Sequence, residues 1–215
     1  MPLKLFVTAT NTDVGKTHTT LLLMEEAAKR GLRPLAFKPV ETGVSGGMAP
    51  DGSRLLEAAK RLNPDAAPLR LEQIVPYRFE LPAAPFVAKG RTHISLNKIE
   101  AAMESLLPLC DILFVEGAGG LMVPLEENLF IVDLPLRLKL PVLLVTPGRL
   151  GSINDTLLSL EALQRRCIEP TVAVNLKEGE KEAFESVTKP YYESVGFRYL
   201  RLPEEAPALL DRLGL

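Results

Sequence analysis

Short apolar runs alternate along the chain with longer segments in which apolar residues recur at helical spacing. The runs predict six strands, at residues 5–7, 34–37, 112–115, 141–145, 171–174 and 199–202. The intervening segments predict helices, at residues 17–30, 53–62, 95–109, 152–166 and 181–195. Pro190 is expected to kink or break the last helix. Strands that are apolar throughout are typical of sheets covered by helices on both faces. The pattern therefore predicts an α/β fold with one doubly wound, mostly parallel sheet.

The remaining segments are less regular. Residues 40–53 contain four glycines and a proline, and we expect a mobile loop there. Residues 63–94 are rich in proline and are expected to form an insertion over one end of the sheet. A length of 215 residues suits one α/β domain over residues 1–215. Ligands of such sheets bind at the carboxyl ends of the strands, so we expect the functional side chains at those ends.

Composition excludes several kinds of partner. The chain has 25 basic and 27 acidic residues and a net charge of −2, which gives no overall attraction for nucleic acid or anionic membranes. Cys110 and Cys167 are too few for a disulfide framework, and we interpret them as two buried thiols in a reducing compartment. The first residues lack the apolar core of a signal peptide, and no run approaches the ~20 apolar residues of a membrane span. We expect a soluble cytoplasmic protein.

The first strand leads into a loop that ends in Gly15-Lys16-Thr17 at the start of a helix. Backbone N–H groups at a helix N-terminus bind phosphate oxygens, Lys16 can reach the β- and γ-phosphates of a nucleotide, and the Thr17 hydroxyl can bind Mg²⁺. The usual motif has glycine where this chain has Thr10. An ordinary strand–helix turn is the alternative interpretation. The other candidate nucleotide contacts are Asp13, Val14 and His18, although an exposed helix surface is the simplest position for His18.

Two further strand ends carry charged residues. Lys38 follows the second strand and precedes Pro39, so it is expected to point into the ligand crevice, unless it is a solvated lysine beside an edge strand. Glu116 ends the next apolar strand and is followed by Gly117-Ala118-Gly119-Gly120. A carboxylate there suits Mg²⁺, and the glycines allow a ligand to approach the backbone. An exposed glutamate in a tight turn is the alternative.

Taken together, these blocks resemble the dethiobiotin synthetase family. The phosphate loop of that family matches residues 9–17, its Lys-Pro-Val block followed by Ser/Thr-Gly matches residues 38–43, and its Val-Glu-Gly-Ala-Gly-Gly block matches residues 115–120. A Leu-Gly-X-Ile-Asn block matches residues 150–154, and a strand-end asparagine matches Asn175. Ala9 stands where the family has a glycine, and Asp51 is the candidate for its metal-binding aspartate.

The resemblance implies a P-loop NTPase fold and a homodimeric, ATP- and Mg²⁺-dependent ligase of biotin synthesis. In that family CO₂ adds to one amine of 7,8-diaminopelargonate as a carbamate, ATP phosphorylates the carbamate, and the second amine closes the cyclic urea. The implied catalytic residues are Lys16 and Lys38, and the implied Mg²⁺ ligands are Thr17, Asp51 and Glu116. The implied nucleotide contacts also include Gly117, Ala118, Gly119, Asn175, Pro203 and Glu204. The implied substrate contacts are Thr12 and Thr42 at the diamine, and Gly151, Ser152, Ile153 and Asn154 of the partner subunit at the carboxylate.

Other P-loop functions remain alternatives. A dimerising nucleotide switch of the partition type would carry an additional lysine near the start of the loop, and residues 9–14 contain none. A related amidoligase would need a glutamine-hydrolysing domain, for which 215 residues leave no room. A nucleoside kinase would have no use for the blocks at Lys38 and Glu116. His93 lies in the irregular segment, and we expect no metal site there.

Overall fold

The computed structural model describes residues 2–212, and six of the strands in that range form one parallel sheet in the order β2-β5-β1-β8-β9-β10. The strands are β1 (Leu3–Ala9), β2 (Pro34–Phe37), β3 (Val40–Thr42), β4 (Tyr77–Phe79), β5 (Ile112–Gly120), β6 (Pro124–Glu126), β7 (Leu129–Phe130), β8 (Val142–Pro147), β9 (Thr171–Asn175) and β10 (Leu200–Leu202). The helices are α1 (Lys16–Lys29), α2 (Pro50–Leu62), α3 (Leu71–Ile74), α4 (Pro85–Ala88), α5 (Leu96–Leu106), α6 (Asp133–Leu138), α7 (Ser152–Gln164), α8 (Lys181–Ala183), α9 (Lys189–Ser194) and α10 (Ala206–Arg212).

The centre of the sheet is buried on both faces, which explains why its strands are apolar at consecutive positions. All six residues of β8 are buried, and so are the residues of β1 from Leu5 onward. Phe6, Phe37 and Phe114 lie on the three neighbouring strands β1, β2 and β5, and none of them is exposed. The predicted doubly wound sheet is therefore confirmed, with its strands at the predicted places.

Strand order determines which strand ends become neighbours. Strand β1 pairs in parallel with β5 on one side and β8 on the other, and β2 pairs in parallel with β5. Because all of these strands point the same way, the loop after β1, the end of β5 and the residue after β2 meet at one edge of the sheet. This edge brings together three of the sequence blocks that we singled out.

The irregular segments are more ordered than the sequence indicated. The segment 40–53 is not a loop throughout, because Val40–Thr42 pairs in parallel with Tyr77–Phe79 and Pro50 begins α2. Proline is favoured at the first position of a helix, so the prediction of a loop up to residue 53 was wrong at that end. Residues 63–94 contain α3, β4 and α4, and residues 82–85 form part of the wall at the carboxyl edge of the sheet.

One of two local predictions needs correction. Regular α-helical geometry is interrupted before Pro190, as predicted: a π-helical turn, Phe184–Thr188, separates α8 from α9, and Pro190 lies in the first turn of α9. Cys110 is buried as predicted, but Cys167 is exposed, because it lies in a turn with a φ of 56° after α7. Among residues 2–212, no helix is both long and apolar enough to cross a bilayer.

Candidate active site

The loop between β1 and α1 is shaped by Gly15, whose φ of 102° lies in the left-handed region. A Cβ atom at this position would lie 2.2 Å from the Nδ2 atom of Asn175, so only glycine fits. The Asn175 side chain, at the end of β9, donates a 2.8 Å hydrogen bond to the Val14 carbonyl. Lys177, just after β9, donates a 2.7 Å hydrogen bond from Nζ to the Asp13 carbonyl. Two side chains at the end of β9 therefore hold the loop in place.

Across the loop, Lys38 joins the two carboxylates that we proposed as metal ligands. Its Nζ atom lies 2.6 Å from Glu116 Oε1 and 3.1 Å from Asp51 Oδ2. Glu116 is fully buried and Lys38 is 3% exposed, whereas the Asp51 side chain is 41% exposed and faces the cavity. Thr17 Oγ1 donates to Glu116 Oε1 at 2.7 Å, and Thr20 Oγ1 donates to Glu116 Oε2 at 2.9 Å. Every oxygen of Glu116 therefore has a donor, as a buried carboxylate requires.

The environment shifts the pKa values of the two lysines in opposite directions. Burial, aided by the nearby ammonium of Lys38, lowers the pKa of Lys16 from 10.5 to about 8. For Lys38 burial also disfavours the charge, but the carboxylates of Glu116 and Asp51 outweigh it and raise its pKa above the ordinary value. Burial likewise acts against the charge of Asp51, yet the Lys38 ammonium lowers the pKa of that carboxyl. The site thus holds one firmly charged lysine and one whose charge is close to titration near neutral pH.

These groups surround a cavity of about 820 Å³ at the carboxyl edge of the sheet. Its lining includes eleven of the predicted residues: Thr12, Asp13, Gly15, Lys16, Thr17, His18, Lys38, Thr42, Asp51, Ala118 and Gly119. The side chain of His18 is exposed at its rim. Space of this size next to a phosphate loop accommodates a nucleotide together with a small substrate.

Other predicted residues lie outside this lining. Val14, Glu116 and Asn175 are buried behind it. Gly117 is also buried, and a Cβ atom there would lie 3.1 Å from Ile131 Cγ2 and 3.2 Å from Phe6 Cζ. Pro203 and Glu204 follow β10, next to the end of β9, where the Leu176 N–H bonds the Leu202 carbonyl. Gly151, Ser152, Ile153 and Asn154 begin α7 and do not line the cavity of their own chain.

The side-chain oxygens of Thr17, Asp51 and Glu116 are suitable ligands for Mg²⁺. A hydroxyl and two carboxylates are hard oxygen ligands, and Mg²⁺ commonly takes one or two protein carboxylates and completes its shell with phosphate and water. All three side chains belong to one network through Lys38 and Glu116. Within the described range, no three His, Cys, Asp or Glu side chains converge to hold a metal by themselves. His93 instead pairs with Glu126, at 3.2 Å.

Sequence reasoning missed several residues of the site. Thr20 bonds Glu116 from one turn beyond the phosphate loop, and helical spacing from Lys16 could have indicated it. Arg54 and Lys177 add two cations to the cavity lining. Glu41 lines the cavity and accepts hydrogen bonds from the Asp51 and Gly52 backbone, and burial raises the pKa of its carboxyl. No local motif marks Lys177 or Glu41, because each bonds residues that are distant in sequence.

Comparison with known proteins gives a consistent family. A sequence-family model described as an AAA domain matches residues 3–195. The chain is 51% identical over 191 residues to the ATP-dependent dethiobiotin synthetase BioD of Sulfurovum sp. (strain NBC37-1), covering 89% of this chain and 90% of that protein. It is 39% identical over 213 residues to the enzyme of the same name from Wolinella succinogenes, covering 97% of each.

Among solved structures the fold is similar to a cell division protein complex and to a ParA family ATPase. The MinC:MinD cell division protein complex of Aquifex aeolicus matches with a TM-score of 0.55 and 18% identity, over 98% of this chain and 85% of that one. A ParA family ATPase from Chlorobium tepidum TLS matches with a TM-score of 0.55 and 12% identity, over 99% of this chain and 89% of that one. At such low identities these similarities concern the fold alone.

Proposed function

The chain belongs to the family of ATP-dependent dethiobiotin synthetases, and we propose that the cavity beside its phosphate loop is where it closes the cyclic urea. The reaction of this family is an ATP-dependent ligation in biotin synthesis. The observation that carries the assignment is the position of Lys38, held between Asp51 and Glu116 and opposite the phosphate loop. The partition-type switch has less support, because only the fold is shared with those ATPases.

The proposed reaction has three steps. One amine of 7,8-diaminopelargonate attacks CO₂, forms a C–N bond and loses a proton, which gives a carbamate. A carbamate oxygen then attacks the γ-phosphorus of ATP, and ADP leaves. The second amine attacks the carbonyl carbon of the resulting carbamic-phosphoric anhydride and loses a proton, and phosphate leaves as the ring closes. Each step builds or moves negative charge, so fixed positive charges are the main requirement.

The chain supplies those charges from two sides. Lys16 follows Gly15 at the N-terminus of α1, where backbone N–H groups favour the β- and γ-phosphates. Lys38 approaches from the end of β2 and would stabilise charge on the carbamate and on the transferring phosphoryl group. Its ion pairs to two carboxylates fix the direction of the ammonium, which is the kind of positioning that phosphoryl transfer needs.

Thr17, Asp51 and Glu116 are the side chains that would hold Mg²⁺, which would neutralise charge on the nucleotide phosphates when bound. Thr12 and Thr42 would contact the diamine end of the substrate, a role supported by their position in the cavity lining. Asn175, the last residue of β9, supports the loop through its bond to the Val14 carbonyl. Together with Pro203 and Glu204, which follow the adjacent strand β10, it would contact the base. We place this chemistry in the cytoplasm, where ATP is available.

The start of α7 points to a second copy of the chain. Gly151 to Asn154 are the proposed contacts of the substrate carboxylate, yet they do not line their own cavity. Leu150 is 77% exposed just before this helix, and Leu157 and Leu158 are exposed along it. Such an apolar helix surface is costly to leave in water and suits a symmetric interface. We therefore propose a homodimer in which α7 of one subunit completes the site of the other.

A product assay tests the proposed function. Purified protein is incubated with 7,8-diaminopelargonate, ¹³C-bicarbonate, ATP and Mg²⁺, and dethiobiotin is followed by mass spectrometry together with ADP. We expect labelled dethiobiotin in step with ADP, lost in Lys16→Ala and retained in Lys29→Ala, an exposed lysine paired with Glu26. An absence of product, together with ATP hydrolysis stimulated by another protein, would support the nucleotide switch instead.

A further inference from the structure

Glu41 of β3 connects the strand after Lys38 to the first turn of α2. Its side chain is almost fully buried, and its two oxygens accept separate backbone hydrogen bonds. Oε1 accepts from the Asp51 N–H and Oε2 accepts from the Gly52 N–H, both at 2.8 Å. The two distances are those of strong, charge-assisted bonds.

Helix α2 needs this carboxylate because its own start supplies no cap. Its N-cap residue, Ala49, has only a methyl group, and Pro50 has no backbone N–H. Ser53 N–H already bonds the Ala49 carbonyl, so Asp51 and Gly52 carry the remaining free donors of the first turn. Glu41 satisfies both of them from outside the helix and places a negative charge at its positive end.

The sequence around this contact fits the same arrangement. A Cβ atom at Gly52 would lie 2.3 Å from Val75 Cγ2 and 3.0 Å from Glu41 Oε2, so a larger residue would displace the carboxylate or the helix. Glycine at this position lets Glu41 reach the helix start. The contact therefore depends both on the carboxylate of Glu41 and on the absence of a side chain at Gly52.

The residue fixed most directly by Glu41 is Asp51. With its backbone N–H held by Glu41, the Asp51 side chain points the other way, to Lys38 at 3.1 Å, and remains partly open to the cavity. Lys38 in turn holds Glu116. A chain of direct bonds thus runs from Glu41 through Asp51 and Lys38 to Glu116.

We infer that Glu41 is a positioning residue that fixes the start of α2, and with it Asp51, in the geometry that binds the metal–nucleotide complex and directs Lys38. This inference rests on the proposed roles of Asp51 and Lys38. It assigns Glu41 no contact with the reacting atoms. Its effect is therefore expected in the metal dependence of nucleotide binding and in turnover, while affinity for the diamine is unaffected.

The test compares ATP binding with and without Mg²⁺. Isothermal titration with ATP in EDTA and with ATP plus Mg²⁺ gives, for each variant, the factor by which the metal tightens binding. For Glu41→Ala we expect this factor to fall about 10- to 100-fold, as for other residues that orient metal ligands, with kcat falling similarly and the KM for the diamine within about twofold. Glu41→Gln keeps one acceptor oxygen and should fall between Ala and the unsubstituted protein.

Asp111→Asn is the matched control. Asp111 Oδ2 also accepts a backbone N–H, from Arg33 at 2.9 Å, but it precedes β5 at the opposite edge of the sheet. The Asp111→Asn variant should lose thermal stability, but Mg²⁺ should tighten its ATP binding by the same factor as in the unsubstituted protein. If Mg²⁺ tightens ATP binding by the same factor in the Glu41 variants as in Asp111→Asn, and their kcat values are also equal, the inference is wrong. The binding readout does not require turnover, so a protein that made no dethiobiotin would contradict the proposed function and still test Glu41.

Discussion

Lys38 Nζ lies 2.6 Å from Glu116 Oε1, and both side chains are buried at the boundary between the sheet and the cavity. Removing either charge alone would leave the other in a poorly solvated place. The same ammonium reaches Asp51, which is open to the cavity, so the pair connects the interior of the sheet to the space for ligands. This relationship makes Lys38 the most informative single residue to change.

For Lys38→Ala we expect nucleotide binding to survive while turnover falls by about 10²- to 10³-fold, the usual effect of removing one transition-state donor. The reason is that the phosphate loop keeps its own contacts, to Asn175 and Lys177, which do not involve Lys38. The measurements are the Kd of ATP by titration and the kcat of dethiobiotin formation, with a thermal melt to confirm folding. Normal turnover in this variant would contradict the catalytic role of Lys38.

The proximity of the phosphate loop to Lys38 and Glu116 could be predicted, because the positions of these residues depend on strand order alone. In parallel sheets the ends of β2, β5 and β1 share one edge, so Lys38, Glu116 and Lys16 had to be close once the strands were recognised. Asp51 was harder, since its place depends on where α2 begins. The helix begins at Pro50, three residues before the predicted start.

The contacts around Glu41 and the π-helical turn could not be predicted from the sequence. Glu41 caps a helix that starts nine positions later, and a carboxylate in the middle of a three-residue strand has no local pattern to reveal that role. The one available sign was negative: Ala49-Pro50-Asp51-Gly52 begins a helix with no Ser, Thr, Asp or Asn at the N-cap. Phe184 begins the turn before Pro190 and lies in a separate buried cluster with Tyr192 and Val174, a tertiary contact that has no sign in the local sequence.

The pKa of Lys16, about 8 in the free protein, predicts a pH dependence of nucleotide binding. A bound triphosphate favours the charged lysine and raises its pKa, so binding above pH 8 takes up a proton. ATP affinity should be level below about pH 8 and fall at higher pH, approaching tenfold per unit at its steepest. Titration calorimetry at pH 9 in buffers of different ionisation enthalpy should show uptake approaching one proton.

Lys16→Arg is the control for this behaviour, because a guanidinium stays charged throughout the range. Whatever its affinity at pH 7, the variant should bind ATP without the decline above pH 8 and without proton uptake at pH 9. A decline that persists in Lys16→Arg would place the titrating group elsewhere in the site.

For Gly15→Ala we expect a loss of both stability and nucleotide affinity. The new Cβ would overlap Asn175 Nδ2, and the alanine would have to adopt a φ of 102°. Gly31→Ala is a matched control: its φ is 78°, and nothing lies within 4 Å of its added Cβ. The control should cost about 1–2 kcal/mol of unfolding free energy and leave ATP binding unchanged. Gly15→Ala should cost more and weaken ATP binding about tenfold or beyond; equal effects of the two variants would argue against the close approach of Asn175.

The shared site of the proposed homodimer can be tested with two defective variants. Lys16→Ala removes the phosphate-loop lysine, and Asn154→Asp places a negative charge at the start of α7, where the substrate carboxylate would bind. If α7 completes the site of the partner, a heterodimer of the two variants contains one site with both defects and one with neither. That heterodimer, purified through two different tags, should have about half the activity of the unsubstituted dimer.

The opposite arrangement gives a clearly different result. If each subunit used its own α7, every site of the heterodimer would carry one defect. With the diamine kept well below its KM, the activity would then be about one twentieth of the unsubstituted value, because only the Asn154→Asp site would turn over, about tenfold more slowly. Asn154→Asp alone should raise the KM for the diamine substrate about tenfold and leave ATP binding unchanged, because like charges repel at the helix start. A monomer in light scattering at assay concentration, with full activity, would exclude the shared site altogether.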